Sequence, residues 1–467
     1  MDPTTIFVAT VLFLWIVFAW DLYLSFRQYR TYVQTTERPA EIVEIMDKES
    51  FDKARAYKID RMRFSFVHSM YSQLETTIVL VFELVAFLWA YSGGLLHSMG
   101  YQHEILHSIV FVSVASVIEK ILGLPWNIYD TFVIEERHGF NKQTLGFFFK
   151  DQLKKTVVSL VLTVPIVSGL IWIVKAGGAY FFVYAWAFLS LIIFIMMFIY
   201  PEFIAPLFDK YSPLPDGELR TRIEALAAKL EYPLTKLLVV ENSKRSSHSN
   251  AYLYGFWKNK RIVLYDTIIG EEPTIVKEME KNENKETAEE NEESVKPEEP
   301  AESAETPKRR KLGMSNDEVL AVLGHELGHW KLWHVMKMLV ISELNILLMM
   351  SSYQYLYRWS ALYAAFGFHD TQPVLIGISL VFMYVLAPYN EISNLLMTQF
   401  VRHNEFGADR FSAELGYGNL LISGLIKISK DNLSFPVNDW LYSWANHSHP
   451  PVVERVRAIR EIKAKID

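Results

Sequence analysis

The segment Ser315–Trp330 reads SNDEVLAVLGHELGHW, a helix-forming run that ends in a pair of histidines. Ser315 is a favoured N-cap residue, acids follow it in the first turn, and the run then becomes apolar. His325 and His329 are four residues apart, so on a helix their rings share one face and can bind one metal ion. Glu326 would lie beside that ion. The HELGH pattern therefore predicts the zinc site of a hydrolase.

The same short pattern also arises by chance on surface helices that bind no metal. A zinc hydrolase needs a third protein ligand, and Glu405 is the candidate. Asp409, one helical turn later, would share its face and could accept a hydrogen bond from a ligand imidazole, which orients the ring. The alternative is that Glu405 and Asp409 belong to a solvated helix face.

A further candidate lies near the C-terminus, in the segment His447-Ser448-His449-Pro450-Pro451. The prolines restrict the backbone there and favour a rigid turn. His449 could then donate a hydrogen bond to the oxyanion of a tetrahedral intermediate. The alternative is that His449 is a structural or merely exposed loop residue.

The composition is that of a polytopic membrane protein. The 467 residues are 51% hydrophobic and 14% aromatic, and the mean hydropathy is positive. The net charge of −7 excludes the basic footprint of a nucleic-acid-binding protein. The chain has no cysteine, which excludes disulfides, thiolate zinc ligands and a cysteine nucleophile. Histidine and carboxylate are therefore the expected metal ligands.

Seven apolar stretches have about the 20-residue length that crosses a hydrocarbon core. They are residues 6–26, 76–96, 105–124, 156–175, 179–200, 336–356 and 374–398. Basic residues between the spans concentrate in 27–63 and 150–155, which places those loops in the cytosol. Alternation then predicts a lumenal N-terminus and a cytosolic C-terminus.

Five regions are expected along the chain. Residues 1–200 carry spans one to five with their cytosolic loops, 201–270 form a cytosolic α/β insertion, 271–312 are a disordered acidic linker, 313–410 carry the zinc helix, spans six and seven and the third-ligand helix, and 411–467 form a cytosolic helical region. An amphipathic helix at 217–231 and strands at 236–240 and 261–265 predict the insertion. The charged, proline-containing composition predicts the linker; the alternative there is a regulatory or partner-binding segment.

Several motifs together resemble the type I CAAX prenyl proteases, the Ste24-like zinc endopeptidases. These motifs are HELGHW at 325–330, EFGAD at 405–409, KRSSHSNAY at 244–252 and SHP at 448–450. The resemblance extends over nearly the whole chain, including 132–141 and 259–267. The animal prelamin-processing members are the most similar.

The resemblance implies an all-α polytopic membrane protein in which seven transmembrane helices form a barrel around a large chamber, with a small cytosolic α/β zinc-protease portion. It also implies location in the endoplasmic reticulum membrane, and in animals the inner nuclear membrane. The implied reaction removes the last three residues of prenylated C-a-a-X proteins. Some members cut a second time upstream, in prelamin A or a pheromone precursor.

Matched positions imply a role for each candidate residue. His325, His329 and Glu405 would bind one Zn²⁺ per chain. Glu326 would be the general base, Asp409 would support a metal ligand, His449 would be the oxyanion donor, and Asn250 with Ala251 would pair with extended substrate backbone. The expected partners are prenylated C-a-a-X proteins and membrane lipid, with no nucleic acid. The chain departs from the family pattern at Gly407, where glutamine is usual, and at His447, where tyrosine is usual.

Two other functions fit the same residues. One is a membrane quality-control metalloprotease, which would need the zinc site but no prenyl group on its substrate. The other is a non-enzymatic scaffold or transporter, in which acidic residues inside the spans would line a path.

Overall fold

The computed structural model describes residues 1–43, 45–240, 251–256, 258–269 and 313–466. Asn250 and the predicted acidic linker 271–312 lie outside these residues. Contacts between residues divide the chain into two compact units. We call Met1–Ile199, Trp333–Glu405 and Phe435–Pro451 the helical unit, and Tyr200–Leu332, Phe406–Ser434 and Val452–Asp467 the α/β unit.

The described helices and strands follow one another in chain order. They are α1 (Pro3–Gln34), α2 (Ala40–Val43), α3 (Lys48–Val81), α4 (Leu84–Ser98), α5 (Glu104–Tyr129), α6 (Leu145–Ala176), α7 (Phe181–Ile199), β1 (Tyr211–Pro213), α8 (Glu218–Lys229), β2 (Leu234–Val240), β3 (Ala251–Phe256), β4 (Asn259–Tyr265), α9 (Asn316–Lys331), α10 (His334–Leu356), α11 (Ser360–Ala364), α12 (Val374–Leu380), α13 (Ala387–Ser412), α14 (Gly418–Asp431), α15 (Trp440–Asn446) and α16 (Val452–Ile466). Short π-helical segments follow α5, α7, α12 and α13, at Asp130–Glu135, Tyr200–Ile204, Val381–Val385 and Ala413–Tyr417.

Five helical stretches are long and apolar enough to cross a membrane. They are α1, Glu104–Glu135, α6, Gly178–Leu207 and α10. Two further candidates are bent pairs of helices, α3 with α4 at 62° and Val374–Val385 with Ala387–Asp431 at 63°. If each bent pair is one span, these helices account for all seven predicted spans. The predicted polytopic helical membrane protein with a small α/β portion is confirmed.

The first bend falls inside the predicted span 76–96, where α3 ends and α4 begins. Glu83 occupies the left-handed region of backbone space there, with φ of 51°. A side chain with a Cβ is disfavoured in that region, so tertiary packing has to hold the bend. Hydropathy is apolar on both sides of Glu83, and for that reason the sequence pattern shows one continuous span.

The helices of the helical unit contact one another in a closed cycle. The cycle runs through α1, α3, α4, α5, α6, α7, α10, Val381–Val385, α12 and α11 and returns to α1. Only 6–11% of the residues in the apolar windows of the five straight spans are buried. Each helix in such a cycle packs mainly against its two neighbours, whereas the helices of a solid bundle also pack against a shared core. The contacts between neighbouring helices therefore close into a ring, and α6 also contacts α12.

One end of the ring is filled by an apolar cluster. Its fully buried members include Phe181, Tyr353, Leu362 and Val381. Phe181 begins α7 and Tyr353 lies in the last turn of α10, so the two neighbouring helices run in opposite directions and meet at this end. Because lipid is as apolar as these side chains, their contacts stabilise helix association through van der Waals packing. The cluster therefore joins the helices of the ring at one end.

The α/β unit contains a four-stranded sheet with strand order β1-β2-β4-β3. β2 and β4 are parallel, whereas the β1-β2 and β4-β3 pairs are antiparallel. Three consecutive residues of β4, Ile262, Val263 and Leu264, are fully buried, as expected for an inner strand covered on both faces. Helix α9 packs against α8, α14 and β3, and these elements share one apolar core. The sheet and core therefore position α9.

Candidate metal centre

The histidine pair lies on α9, whose first turn is fixed by a capping box. The Ser315 side chain accepts from the Glu318 backbone N–H, and Glu318 Oε2 accepts from the Ser315 N–H at 2.8 Å. The same carboxylate accepts from Lys427 Nζ and Ser423 Oγ of α14, each at 2.5 Å. Burial would raise the pKa of the Glu318 carboxyl, but Lys427 and Ser423 hold that pKa below its usual value. A charged anchor thus joins the start of α9 to α14.

Two glycines let α9 approach α13 closely. A Cβ on Gly328 would lie 3.3 Å from the Ala408 backbone, and a Cβ on Gly324 would lie 3.0 Å from Ser412 Oγ. Ser412 Oγ donates a hydrogen bond to the Ala321 carbonyl at 2.8 Å. The spacing of the two glycines places both on one face of α9, so the backbones of the two helices come close along that face. This approach brings α13 to the histidine pair.

His325, His329 and Glu405 form a group that can hold a metal ion. One ligand atom of each residue lies within 4.8 Å of the other two. The Nε2 atoms of the two histidines face each other at 3.1 Å. Two ring nitrogens bound to one tetrahedral zinc ion lie about 3.3 Å apart, given Zn–N bonds of about 2.0–2.1 Å. The donor set and its spacing therefore fit a zinc ion that keeps one open position.

Asp409 determines which nitrogen of His325 is available to a metal. Asp409 Oδ1 lies 2.9 Å from His325 Nδ1. Arg455 on α16 binds the same carboxylate, with Nη2 2.6 Å from Oδ1 and Nε 2.8 Å from Oδ2. Burial would raise the pKa of Asp409, but the Arg455 guanidinium and His325 hold it below its usual value. The carboxylate therefore stays ionised and accepts a hydrogen bond from Nδ1–H of His325, which leaves Nε2 as the ligand atom.

His449 lies beside the third candidate ligand. His449 Nδ1 is 3.0 Å from Glu405 Oε2, and the His449 side chain is 71% exposed whereas the Glu405 side chain is 3% exposed. The preceding turn is held to α13 because Arg402 Nη1 donates to the His447 carbonyl at 3.0 Å. Gln399 Nε2 donates to the Trp444 carbonyl at 2.5 Å. The second nitrogen of His449, Nε2, is therefore the one that can meet a substrate.

The remaining predicted site residues fall in two places. Glu326 is half-buried and follows His325 on α9, next to the candidate ligands. Ala251 is a buried residue and begins β3, which lies at an edge of the described sheet. Asn250, its predicted partner in substrate binding, lies outside the described residues. The roles assigned to these residues stay predictions.

Arg455 is the residue of this centre that sequence reasoning missed. It lies on a polar C-terminal helix that the sequence marks only as charged, yet the residue is buried, with 8% of its surface exposed. Arginine is rarely buried without a partner, but burial cannot be read from a polar helix in isolation. The one available signal was Asp409 itself, because a buried carboxylate that orients an imidazole needs a balancing cation.

Two family descriptions match the chain. Residues 28–210 match the CAAX prenyl protease N-terminal region with five membrane helices. Residues 213–463 match peptidase family M48, and this range includes β2, β3, β4, α9, α13 and Arg455. The two matches meet within the chain and together span nearly all of it.

Curated relatives align with the chain from end to end. A CAAX prenyl protease 1 homolog of Caenorhabditis elegans is 50% identical and covers 100% of both chains. A CAAX prenyl protease 1 homolog of Homo sapiens is 47% identical over 98% of this chain and 96% of its own. The crystal structure of S. mikatae Ste24p superposes with a TM-score of 0.82 at 30% identity, covering 98% of this chain and 99% of the other.

Proposed function

This chain belongs to the CAAX prenyl proteases of peptidase family M48, and within that family we propose that zinc is its metal and that His325, His329 and Glu405 hold it. The protein is a multi-pass membrane metalloprotease that acts on prenylated proteins ending in C-a-a-X. The zinc proposal rests on the two Nε2 atoms 3.1 Å apart with a Glu405 oxygen within 4.8 Å. A catalytic zinc typically has three such ligands and one open position.

Each remaining residue of the centre has a proposed part in peptide hydrolysis. When bound, zinc supplies Lewis acidity, which polarises the scissile carbonyl and lowers the pKa of water. Glu326 takes the proton from the attacking water and passes it to the leaving amine. His449 donates from Nε2 to the oxyanion, because its Nδ1 faces Glu405. Asp409 and Arg455 keep the His325 ring in orientation.

The substrate is proposed to bind as an extended strand. β3 lies at the edge of the described sheet and begins at Ala251, so a peptide can add to it by main-chain hydrogen bonds. Asn250 and Ala251 are the residues proposed to pair with the substrate backbone. The prenyl group is proposed to lie against apolar side chains of the spans, where it contributes about 0.8 kcal/mol per buried CH₂.

The finer biological setting is also a proposal. We propose that the protein lies in the endoplasmic reticulum membrane and the inner nuclear membrane, with its N-terminus in the lumen and its C-terminus in the cytosol. The basic residues in 27–63 support this orientation. Beyond removal of the aaX tripeptide, a second upstream cut in a prelamin A-like or pheromone-like precursor is proposed. Membrane lipid and the prenylated substrate are the partners.

A cleavage map on a farnesylated C-a-a-X peptide tests the function. We expect release of the C-terminal tripeptide, detected by mass spectrometry, and loss of that product with a zinc chelator. The unprenylated twin of the peptide is the matched control and is expected to be cut far more slowly. Equal rates on both peptides would instead support a quality-control protease. Persistent cutting in chelator, or no cutting at all, would contradict the proposed zinc chemistry.

A further inference from the structure

Glu83 places a carboxylate at the bend between α3 and α4, inside the predicted span 76–96. The residue is exposed, and its side chain makes no hydrogen bond or ion pair with any residue that the structure describes. A carboxylate in a span is costly against lipid hydrocarbon, and acids in spans mark sites where a polar or charged group binds. A cation beside Glu83 would offset that cost.

The backbone holds this carboxylate beside Gly367, in the connection between α10 and α12. Glu83 and Gly367 both have positive φ, 51° and 85°. A Cβ on Gly367 would lie 2.6 Å from Glu83 Oε2 and 2.8 Å from Glu83 Cδ, so a glycine is needed where the carboxylate approaches. Two uncommon backbone conformations thus meet at one charged group, and the surrounding packing has to fix its position.

The carboxylate lines a cavity of about 170 Å³ whose walls are mainly aromatic and aliphatic. Its aromatic residues are Phe111, Phe366, Phe368 and Tyr384. The rings of Phe366 and Tyr384 stack with their centroids 5.0 Å apart. Among the described residues of the lining, Glu83 alone carries a charge, and the other polar side-chain groups are the hydroxyls of Ser379 and Tyr384. A single anion within an aromatic enclosure therefore defines the chemistry of the cavity.

This combination suits a quaternary ammonium group. Aromatic faces attract such a cation through the ring quadrupole, and the carboxylate adds direct charge attraction. A primary ammonium brings three N–H donors, which a wall with so few acceptors would leave partly unsatisfied, whereas a quaternary ammonium has no N–H to satisfy. A cavity of about 150 Å³ can hold a benzene ring. The cavity beside Glu83, at about 170 Å³, therefore has room for a nitrogen with its four carbon substituents.

The cavity lies at the depth of lipid headgroups. Gly367 belongs to the connection 357–373, which follows the candidate span α10. That connection carries exposed charged residues, Arg358 and Asp370, as expected where a chain leaves the hydrocarbon core. Because Glu83 Oε2 approaches Gly367, its carboxylate lies near the membrane surface rather than at the bilayer centre. A lipid headgroup of the surrounding bilayer can reach it there.

We propose that this cavity binds the choline headgroup of a membrane phospholipid, with Glu83 paired to the trimethylammonium group and the aromatic rings around it. Free choline carries the same cation, but a bilayer presents choline phospholipids at the depth of the site. The bound headgroup would join the bend between α3 and α4 to the connection 357–373. None of the candidate metal ligands lines the cavity, so the inference stands apart from the proposed function.

Competition between two phospholipids tests the site. The full-length protein is reconstituted in nanodiscs that contain equal amounts of phosphatidylcholine and phosphatidylethanolamine with identical acyl chains. After transfer to mild detergent, native mass spectrometry identifies the lipid that stays bound. We expect the wild type to retain phosphatidylcholine about three- to thirtyfold over phosphatidylethanolamine, at one lipid per chain. Equal retention of the two lipids by the wild type would overturn the inference, and this comparison needs no variant to fold.

Two substitutions assign the preference to the cavity. Glu83→Gln keeps the shape of the side chain and removes its charge, so it should abolish the preference. Phe111→Leu keeps an apolar wall without the aromatic face and should reduce the preference. Glu119→Gln is the matched control, because Glu119 is an exposed acid of α5 that does not line the cavity. It should retain phosphatidylcholine as the wild type does.

The variants also decide against the inference if their results run the other way. An unchanged preference in both Glu83→Gln and Phe111→Leu, with unfolding temperatures near that of the wild type, would place the choline lipid elsewhere. Choline chloride added as a competitor separates the two sources of the cation. Retention of phosphatidylcholine in millimolar choline chloride supports the phospholipid, whereas its full displacement would assign the cavity to free choline and overturn the proposal.

Discussion

Arg455 binds both carboxylate oxygens of Asp409, through Nε at 2.8 Å and Nη2 at 2.6 Å, while Asp409 Oδ1 lies 2.9 Å from Nδ1 of His325. Arg455, a cation on the last helix, thereby orients a candidate metal ligand that lies 130 residues earlier in the chain. Neutralising a buried carboxylate in this way keeps it ionised as an acceptor. The centre is therefore held by three helices, α9, α13 and α16.

Replacing Arg455 by methionine should weaken the metal centre. The change leaves the Asp409 charge buried without its guanidinium, so we expect zinc affinity to fall about 10–100-fold and stability to fall by about 3–5 kcal/mol. Competition with a zinc chelator measures the first effect and thermal unfolding the second. Arg457→Met, at an exposed position of the same helix, is the control. Wild-type zinc affinity in Arg455→Met would contradict this account.

Two substitutions on α9 should separate catalysis from metal binding. Glu326→Gln keeps the shape of the side chain but cannot accept a proton, so hydrolysis should fall by at least about 100-fold while zinc stays near one per chain. His325→Ala should lose both activity and zinc, because it removes a ligand. Metal analysis beside the peptide assay checks both. Full activity in Glu326→Gln would remove Glu326 from the mechanism.

Gly328→Ala should strain the contact between α9 and α13. The new Cβ would lie 3.1 and 3.2 Å from Phe411 side-chain atoms and 3.3 Å from the Ala408 backbone. The backbone of Ala408 cannot move aside as the end of a flexible side chain can. We expect a loss of about 1–3 kcal/mol, seen as a lower unfolding temperature, together with reduced zinc affinity. Gly146→Ala faces open space and should be neutral or slightly stabilising. A Gly328→Ala protein as stable as the wild type would show that the helices can separate without cost.

His447 should make stability depend on pH. Burial, Arg402 and Lys58 lower its pKa to about 4 from the ordinary 6.5, so the folded protein favours the neutral ring. The stabilisation is fully present above pH 6.5 and is lost as the pH falls from 6.5 to 4, by at most about 3 kcal/mol. The unfolding temperature of His447→Gln should therefore decline less over that range than that of the wild type. His97→Gln, at an exposed position, should track the wild type.

The helix that carries the histidine pair could be predicted well because its signals are local. The Ser315 cap, the acids of the first turn and the spacing of His325 and His329 all lie within five turns of one helix. The helix at 217–231 and the strands at 236–240 and 261–265 appear as α8, β2 and β4 for the same reason. Glu405 could be proposed as a ligand, but its distance from the histidines depends on how α13 packs against α9.

Other features had no local signal. The bend at Glu83 lies in uninterrupted apolar sequence, and only packing holds its positive φ. The burial of Arg455 beside Asp409 depends on α16 returning to α13 after more than forty residues.

The sequence by itself determined the spans, the metal-binding helix and the kinds of ligand available, because hydropathy, helix capping and one-turn spacing act within a single element. Only the tertiary structure decided that Glu405 meets the histidine pair and that Arg455 neutralises Asp409. Those outcomes depend on contacts between residues far apart in the chain, and such contacts follow from the packing of whole helices rather than from the preferences of any one segment.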